Sequence, residues 1–106
     1  MVIEWLTFQV APDKREQFIH WDTEIWTTAL RQYSGFVGKE VWIPPAKSNQ
    51  VTMVIRWSTR EQWKSIPEAD LEAVSEQFDQ ALGFDYEMIE SSEFQVRKFP
   101  ASESQA

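Results

Sequence analysis

The chain has 106 residues and a net charge of −7, with 42% hydrophobic and 25% charged residues, one His and no Cys. That length makes a single domain able to bury roughly 65% of its unfolded surface. The acidic balance, without any Lys/Arg cluster, argues against nucleic acid and anionic membranes as partners. The missing Cys excludes disulfides, thiol catalysis and Cys-ligated clusters.

With a single His and neither HExxH nor CxxC spacing, no transition-metal site is recognisable, and no metal or cofactor is expected. Six Trp and seven Phe are many for this length. They imply a bulky core, or aromatic surface kept for a pocket or a partner. The opening MVIEWLTFQV lacks a basic n-region and carries Glu4, so it reads as a strand and not a signal peptide. No apolar run approaches a membrane span, and the cytoplasm is the expected location.

Residues 2–10 alternate: Val2, Glu4, Leu6, Phe8 and Val10 share one parity, and Ile3, Trp5, Thr7 and Gln9 the other. Ala11-Pro12-Asp13 breaks the strand and suits a first helical turn. Over residues 14–32 the period turns helical, with Phe18, Ile19, Ile25, Trp26, Ala29, Leu30 and Tyr33 in one stripe. Gly35 is the expected left-handed cap. Residues 36–43 and 51–57 read as a hairpin whose loop holds Pro44 and Pro45.

Ser58-Thr59-Arg60-Glu61 matches a capping box opening a short turn with Trp63, and Ser65-Ile66-Pro67-Glu68 repeats the signature. A main helix over 68–82 follows, with Leu71, Val74, Phe78 and Leu82 inward and an acidic, solvated outer face, stopped by Gly83. A last strand begins at residues 84–89, with a bulge expected at Ser91-Ser92 before residues 94–99. Residues 1–99 form one domain, and the polar tail 100–106 is expected to be disordered.

This order is the β-α-β-β-α-β arrangement of an α+β, ferredoxin-like sandwich. Whichever parity meets the helices, the opposite sheet face keeps large apolar groups: Ile3, Trp5, Val54, Ile89 and either Trp42 or Ile43. A patch that size on a small monomer would be exceptional, so a homodimer through the outer sheet face is expected. The alternative is a scatter of surface aromatics.

The strand running into Ala11-Pro12-Asp13-Lys14-Arg15-Glu16-Gln17-Phe18, then Ser34-Gly35-Phe36-Val37-Gly38, then Arg56-Trp57-Ser58-Thr59-Arg60-Glu61-Gln62-Trp63 occur in order. This pattern resembles the dimeric α+β-barrel superfamily typified by antibiotic biosynthesis monooxygenases, and within it a small uncharacterised cyanobacterial family. The resemblance implies a pocket between helices and sheet, with sheets of two subunits packed as a barrel. Superfamily members range from cofactor-free oxygenases of quinol-type substrates through polyketide cyclases and lactone isomerases to haem-degrading enzymes. The last use a His on the second helix, which residues 68–82 lack.

Asp22 is the sharpest anomaly, a carboxylate in the apolar stripe between Phe18 and Ile25-Trp26. One reading makes it a pocket acid with a pKa raised by desolvation, acting as proton acceptor. A second makes it half of a buried ion pair, with Arg56 or Lys39 as partner, and a third has a narrower apolar stripe that leaves Asp22 outside it. His20 falls on the polar side of the helix. Trp26 and Trp57 are candidate pocket walls, Trp63 a further one, and Tyr33 and Tyr86 candidate polar anchors for a ligand oxygen. Glu4 shares the apolar parity, but its place near the terminus lets it reach water.

The functional expectation is a pocket for a small, largely apolar oxygenated ligand, served by a cofactor-free monooxygenase, cyclase or isomerase. The alternative is a non-catalytic dimeric scaffold or ligand-sensing module with Asp22 structural. Whether the helix–sheet cleft is open discriminates the two.

Overall fold

The computed structural model describes residues 1–99, so the tail expected at 100–106 lies outside the described residues. Four strands, β1 (Val2–Gln9), β2 (Phe36–Trp42), β3 (Gln50–Trp57) and β4 (Glu87–Gln95), form one antiparallel sheet in the order β2-β3-β1-β4. This is the strand order of the expected ferredoxin-like sandwich, because each helical crossover skips one strand position. β1 occupies a central position, flanked by β3 and β4, and its even residues point toward the helices. Phe8 and Val10 are buried there, over Val51, Met53, Ile55 and Trp57 of β3.

The first helix covers residues 15–30 after a 3-10 turn at Pro12–Lys14, and it is not uniform. α-Helical Arg15–Trp21 passes into a π-helical stretch, Asp22–Thr27, before Thr28–Leu30 returns to α. A wheel drawn at a constant angle does not detect that extra residue per turn, and π segments concentrate at functional positions. The helix ends at Leu30, earlier than the spacing predicts, and Gly35 does not cap it. Instead Gly35 (φ +94°) sits in the turn closed by the Phe36 N–H donating to the Tyr33 carbonyl at 3.3 Å. A Cβ there would also come within 2.6 Å of Gln62.

The short helix Arg60–Lys64 is capped by Thr59, not Ser58. The Gln62 N–H donates to Thr59 Oγ1 at 3.1 Å, so the box is shifted by one residue. The long helix Glu68–Leu82 starts directly after Pro67 with no side-chain cap. The Ser65 hydroxyl, expected to cap it, donates back to the Gln62 carbonyl at 2.7 Å. Gly83 ends the helix with φ +70°, the left-handed stop that its position predicts.

The two long helices cover one sheet face. Between them lies an aromatic cluster in which the Phe18 ring centroid stands 5.2 Å from Phe8 and Tyr86 and 5.3 Å from Phe78. Burying each Phe contributes about 1.5–3 kcal/mol. The irregularity of β4 lies at Ile89, where the register against β1 shifts between Thr7 and Phe8; Ser91 and Ser92 pair regularly with Leu6 and Trp5.

On the opposite sheet face Trp5 stands edge-on to Trp42 at 5.5 Å and to Phe94 at 6.1 Å, in a band crossing from β2 to β4. Trp42, Ile89 and Phe94 are exposed in the single chain. The strand register settles the sequence alternative: Trp42 pairs with Thr52 on this face.

Candidate functional site

Between helices and sheet the chain encloses a cavity of about 570 Å³. That is within the range of small-molecule sites, so the cleft is not filled by its large side chains. Trp26, Trp57 and Trp63 contribute aromatic wall, and Ile55, Met53 and Leu71 aliphatic wall. Into this apolar space the chain projects Asp22 from the interrupted helix, Lys39 from β2 and Glu4 from β1.

Asp22 opens the π-helical stretch, and its residue is 4% exposed. Lys39 Nζ donates to Oδ1 at 2.9 Å and approaches Oδ2 at 2.7 Å, with both side chains at most 5% exposed. The approach to Oδ2 is a charge contact without hydrogen-bond alignment, so this buried oxygen has no hydrogen-bond partner among the described residues. Burial pushes the Asp22 carboxyl above its ordinary value, and the Lys39 charge and hydrogen bond offset this only in part. The pocket and ion-pair readings of Asp22 are therefore not exclusive here: the carboxylate is ion-paired, lines the cavity and has a raised pKa. Arg56, the other candidate partner, turns to the outer face and pairs with Glu40 at 2.9 Å.

Glu4 departs from its expected water-facing position. Its Oε1 accepts a hydrogen bond from the Trp57 indole N–H at 3.1 Å, inside the cavity wall. Burial raises its pKa, opposed by that hydrogen bond and by the charges of Lys39 and Lys64. Lys64 lines the same cavity and stacks over Trp63 at 4.0 Å. The sequence signal for both inward charges is parity: Glu4 alternates with Leu6, and Lys39 with Val41, as buried positions do.

Of the expected site residues, Asp22, Trp26, Trp57 and Tyr86 line one cavity. Tyr86 turns its hydroxyl outward, donating to Asp79 at 2.6 Å, and burial together with that bond raises its pKa. Tyr33 does not line the cavity; its hydroxyl donates to Asp70 at 2.8 Å. His20 is exposed beside Trp21, as its place on the wheel predicts. Among the described residues no group of three or more His, Asp or Glu side chains is placed to hold a metal ion. No helix among them is long and apolar enough to cross a membrane.

The sequence matches no protein-family model and no curated protein. Solved structures match well. SnoaB, a cofactor-independent oxygenase from Streptomyces nogalater, superposes with a TM-score of 0.66 at 18% identity, covering 92% of this chain and 94% of its own. An antibiotic biosynthesis monooxygenase-like protein from Deinococcus radiodurans gives 0.68 at 13% identity, with 96% and 98% covered. HapK from Hahella chejuensis gives 0.68 at 16%, with 96% and 99% covered. At these identities the likeness is one of fold, and it spans nearly the whole of each chain. The chain has the ferredoxin-like α+β fold of the antibiotic biosynthesis monooxygenase-like proteins.

Proposed function

We propose that this chain is a cofactor-free monooxygenase of a small hydroxylated aromatic compound, acting in the cytoplasm as a homodimer. The observation that carries the reading is Asp22, a buried carboxylate with a raised pKa that lines an aromatic-walled cavity. A carboxylate set among apolar walls suits a ligand that brings a hydroxyl on an otherwise apolar ring. The raised pKa of Asp22 makes it a stronger base than an exposed carboxylate while Lys39 keeps it ionised.

Proton transfer from the ring hydroxyl to Asp22 leaves an electron-rich phenolate, with Lys39 beside the acquired charge. Such a ring reduces dioxygen directly. With 1-naphthol, the carbon para to the hydroxyl takes one oxygen atom and the product is 1,4-naphthoquinone. The second oxygen atom leaves as water with the hydrogen displaced from that carbon and the hydroxyl proton held by Asp22, which returns to its carboxylate. Four electrons leave the ring and four reduce the dioxygen. The fold shared with SnoaB, a cofactor-independent oxygenase, supports this class of chemistry over cyclisation or isomerisation.

The second reading, a non-catalytic ligand-sensing module, is favoured by the close Asp22–Lys39 pairing, which a purely structural role would also produce. Oxygen uptake with 1-naphthol, measured against a protein-free blank, separates the two. Catalysed uptake with naphthoquinone formation supports the enzyme. Saturable quenching of Trp fluorescence by 1-naphthol without uptake supports the sensor. Absence of both signals overturns the ligand pocket itself.

A further inference from the structure

We propose that Glu4 is a second polar anchor of the cavity, holding an oxygen function on the opposite edge of the ligand from Asp22. The inference rests on the pocket reading above and adds a requirement to it: the ligand carries hydrogen-bonding groups at two edges.

The sheet register supplies the geometry. Glu4 of β1 pairs with Ile55 of β3, and Ile55 pairs with Lys39 of β2. Lys39, Ile55 and Glu4 thus form one row across the cavity floor, spanning two strand spacings, or about 10 Å of backbone. Asp22 descends from the helix onto the Lys39 end of that row. The floor is therefore polar at both ends and aliphatic in the middle, which suits a flat ring with oxygens at opposite edges.

At the Glu4 end one oxygen is held in place by Trp57, and Oε2 makes no hydrogen bond among the described residues. A neutral side chain would satisfy the Trp57 N–H at less cost than a carboxyl, because burying an ionisable group is expensive. The other charged groups nearby are Lys39, committed to Asp22, and Lys64, stacked on Trp63. Glu93, beside Glu4 in the β4 register, is taken by Arg60 at 3.1 Å. Burial favours the protonated carboxyl of Glu4, so Glu4 can donate to a ligand oxygen as well as accept.

The test compares anaerobic binding of 1-naphthol and 1,5-dihydroxynaphthalene, by Trp fluorescence quenching, in wild type, Glu4→Gln and Glu4→Leu. Wild type is expected to prefer the diol by about three- to tenfold, the worth of one hydrogen bond. Glu4→Leu should abolish that preference. Because Glu4→Leu strands the Trp57 N–H and can impair folding, Glu4→Gln provides a second variant that retains an acceptor. It should keep part of the preference and lose any dependence on pH above 4.5, since the amide does not titrate. Equal affinity of wild type for the two compounds overturns the anchor and leaves the pocket standing. So does an unchanged, equally pH-dependent preference in Glu4→Gln. Failure of wild type to bind either compound overturns the pocket reading, and this inference with it.

Discussion

Lys39 Nζ lies 2.9 Å from Oδ1 and 2.7 Å from Oδ2 of Asp22, with the two side chains 3% and 5% exposed. The pair joins the interrupted helix to β2 across the cavity, so its strength is at once a matter of stability and of chemistry. Removing one charge leaves the other buried without a counter-charge, which costs more than the pair itself contributes. Lys39→Met, which leaves the Asp22 carboxylate buried without a counter-charge, should therefore destabilise the chain by about 3 kcal/mol in urea denaturation at about pH 7. The double change Asp22→Leu with Lys39→Met should bring stability back to wild type or above it, since two well-packed apolar groups escape the desolvation cost. Losses in Asp22→Leu and Lys39→Met alone that add up to the loss in the double variant would show that the side chains do not interact. Both the single and the double change should abolish oxygen uptake with 1-naphthol.

Glu4 and Asp22 both have carboxyl pKa values raised by burial. In the unfolded chain they ionise near 4.5 and 3.8. Above those values the native state binds more protons than the unfolded state, so stability falls as pH rises toward each folded pKa. Glu4→Gln removes one of these contributions. Relative to wild type the variant should gain as pH rises from 4.5 toward 7, and the difference should close below 4.5. Paired thermal melts over that range check this. A difference that narrows as pH rises would mean that Glu4 is held as a stabilised carboxylate.

Trp5 sits at the centre of the outer sheet face, in edge contact with both Trp42 and Phe94. Together with exposed Ile89 this band is apolar enough to predict a two-fold dimer of standard size, about 1,600 Å² buried in total. Trp5→Glu places a charge in the middle of that patch and should weaken association at least about thirtyfold, the scale of a central aromatic anchor. Sedimentation velocity at micromolar concentration reads the mass directly. A wild-type monomer would remove the dimer, and with it the barrel arrangement.

Much of this layout follows from periodicity. The alternation in residues 2–10 predicts which face of β1 meets the helices, and Phe8 and Val10 are buried on that face. The helical stripe predicts Asp22 inside, because a polar residue flanked one turn away by Phe18 and Ile25 has nowhere else to point. Local sequence does not reveal the choice of partner or the local winding. Lys39 and Arg56 are both basic residues of adjacent strands; parity groups Lys39 with Val41, and the pairing of Lys39 with Ile55 puts Arg56 on the other face. The π-helical stretch depends on how the helix meets the sheet, so a fixed angular step carries no sign of it. For the same reason Tyr33 shares the apolar stripe on a regular wheel, yet the helix ends three residues before it and its hydroxyl bonds Asp70. Capping motifs were legible as motifs, but the register of the short helix moved by one residue because Thr59 and Gln62 also satisfy the pattern.

The cavity itself gives the last prediction. Ser75 lines it from the long helix, between Leu71 and Phe78, which line it as well. Ser75→Phe should place a ring in open volume without displacing packed atoms, because the space exceeds one side chain. Filling a void restores dispersion contacts that its walls lack, so stability should be unchanged or rise by about 1 kcal/mol. Affinity for 1-naphthol should fall at least about tenfold, since the ring occupies the ligand's place and one order of magnitude needs only about 1.4 kcal/mol. Glu72→Phe, on the exposed side of the same helix, adds the same ring outside the cavity and should leave affinity as it is. A loss of stability above about 2 kcal/mol in Ser75→Phe would mean that the cavity is smaller than its walls suggest and the ring is overpacked. Unchanged 1-naphthol binding in a stable Ser75→Phe protein would place the ligand somewhere other than between helices and sheet.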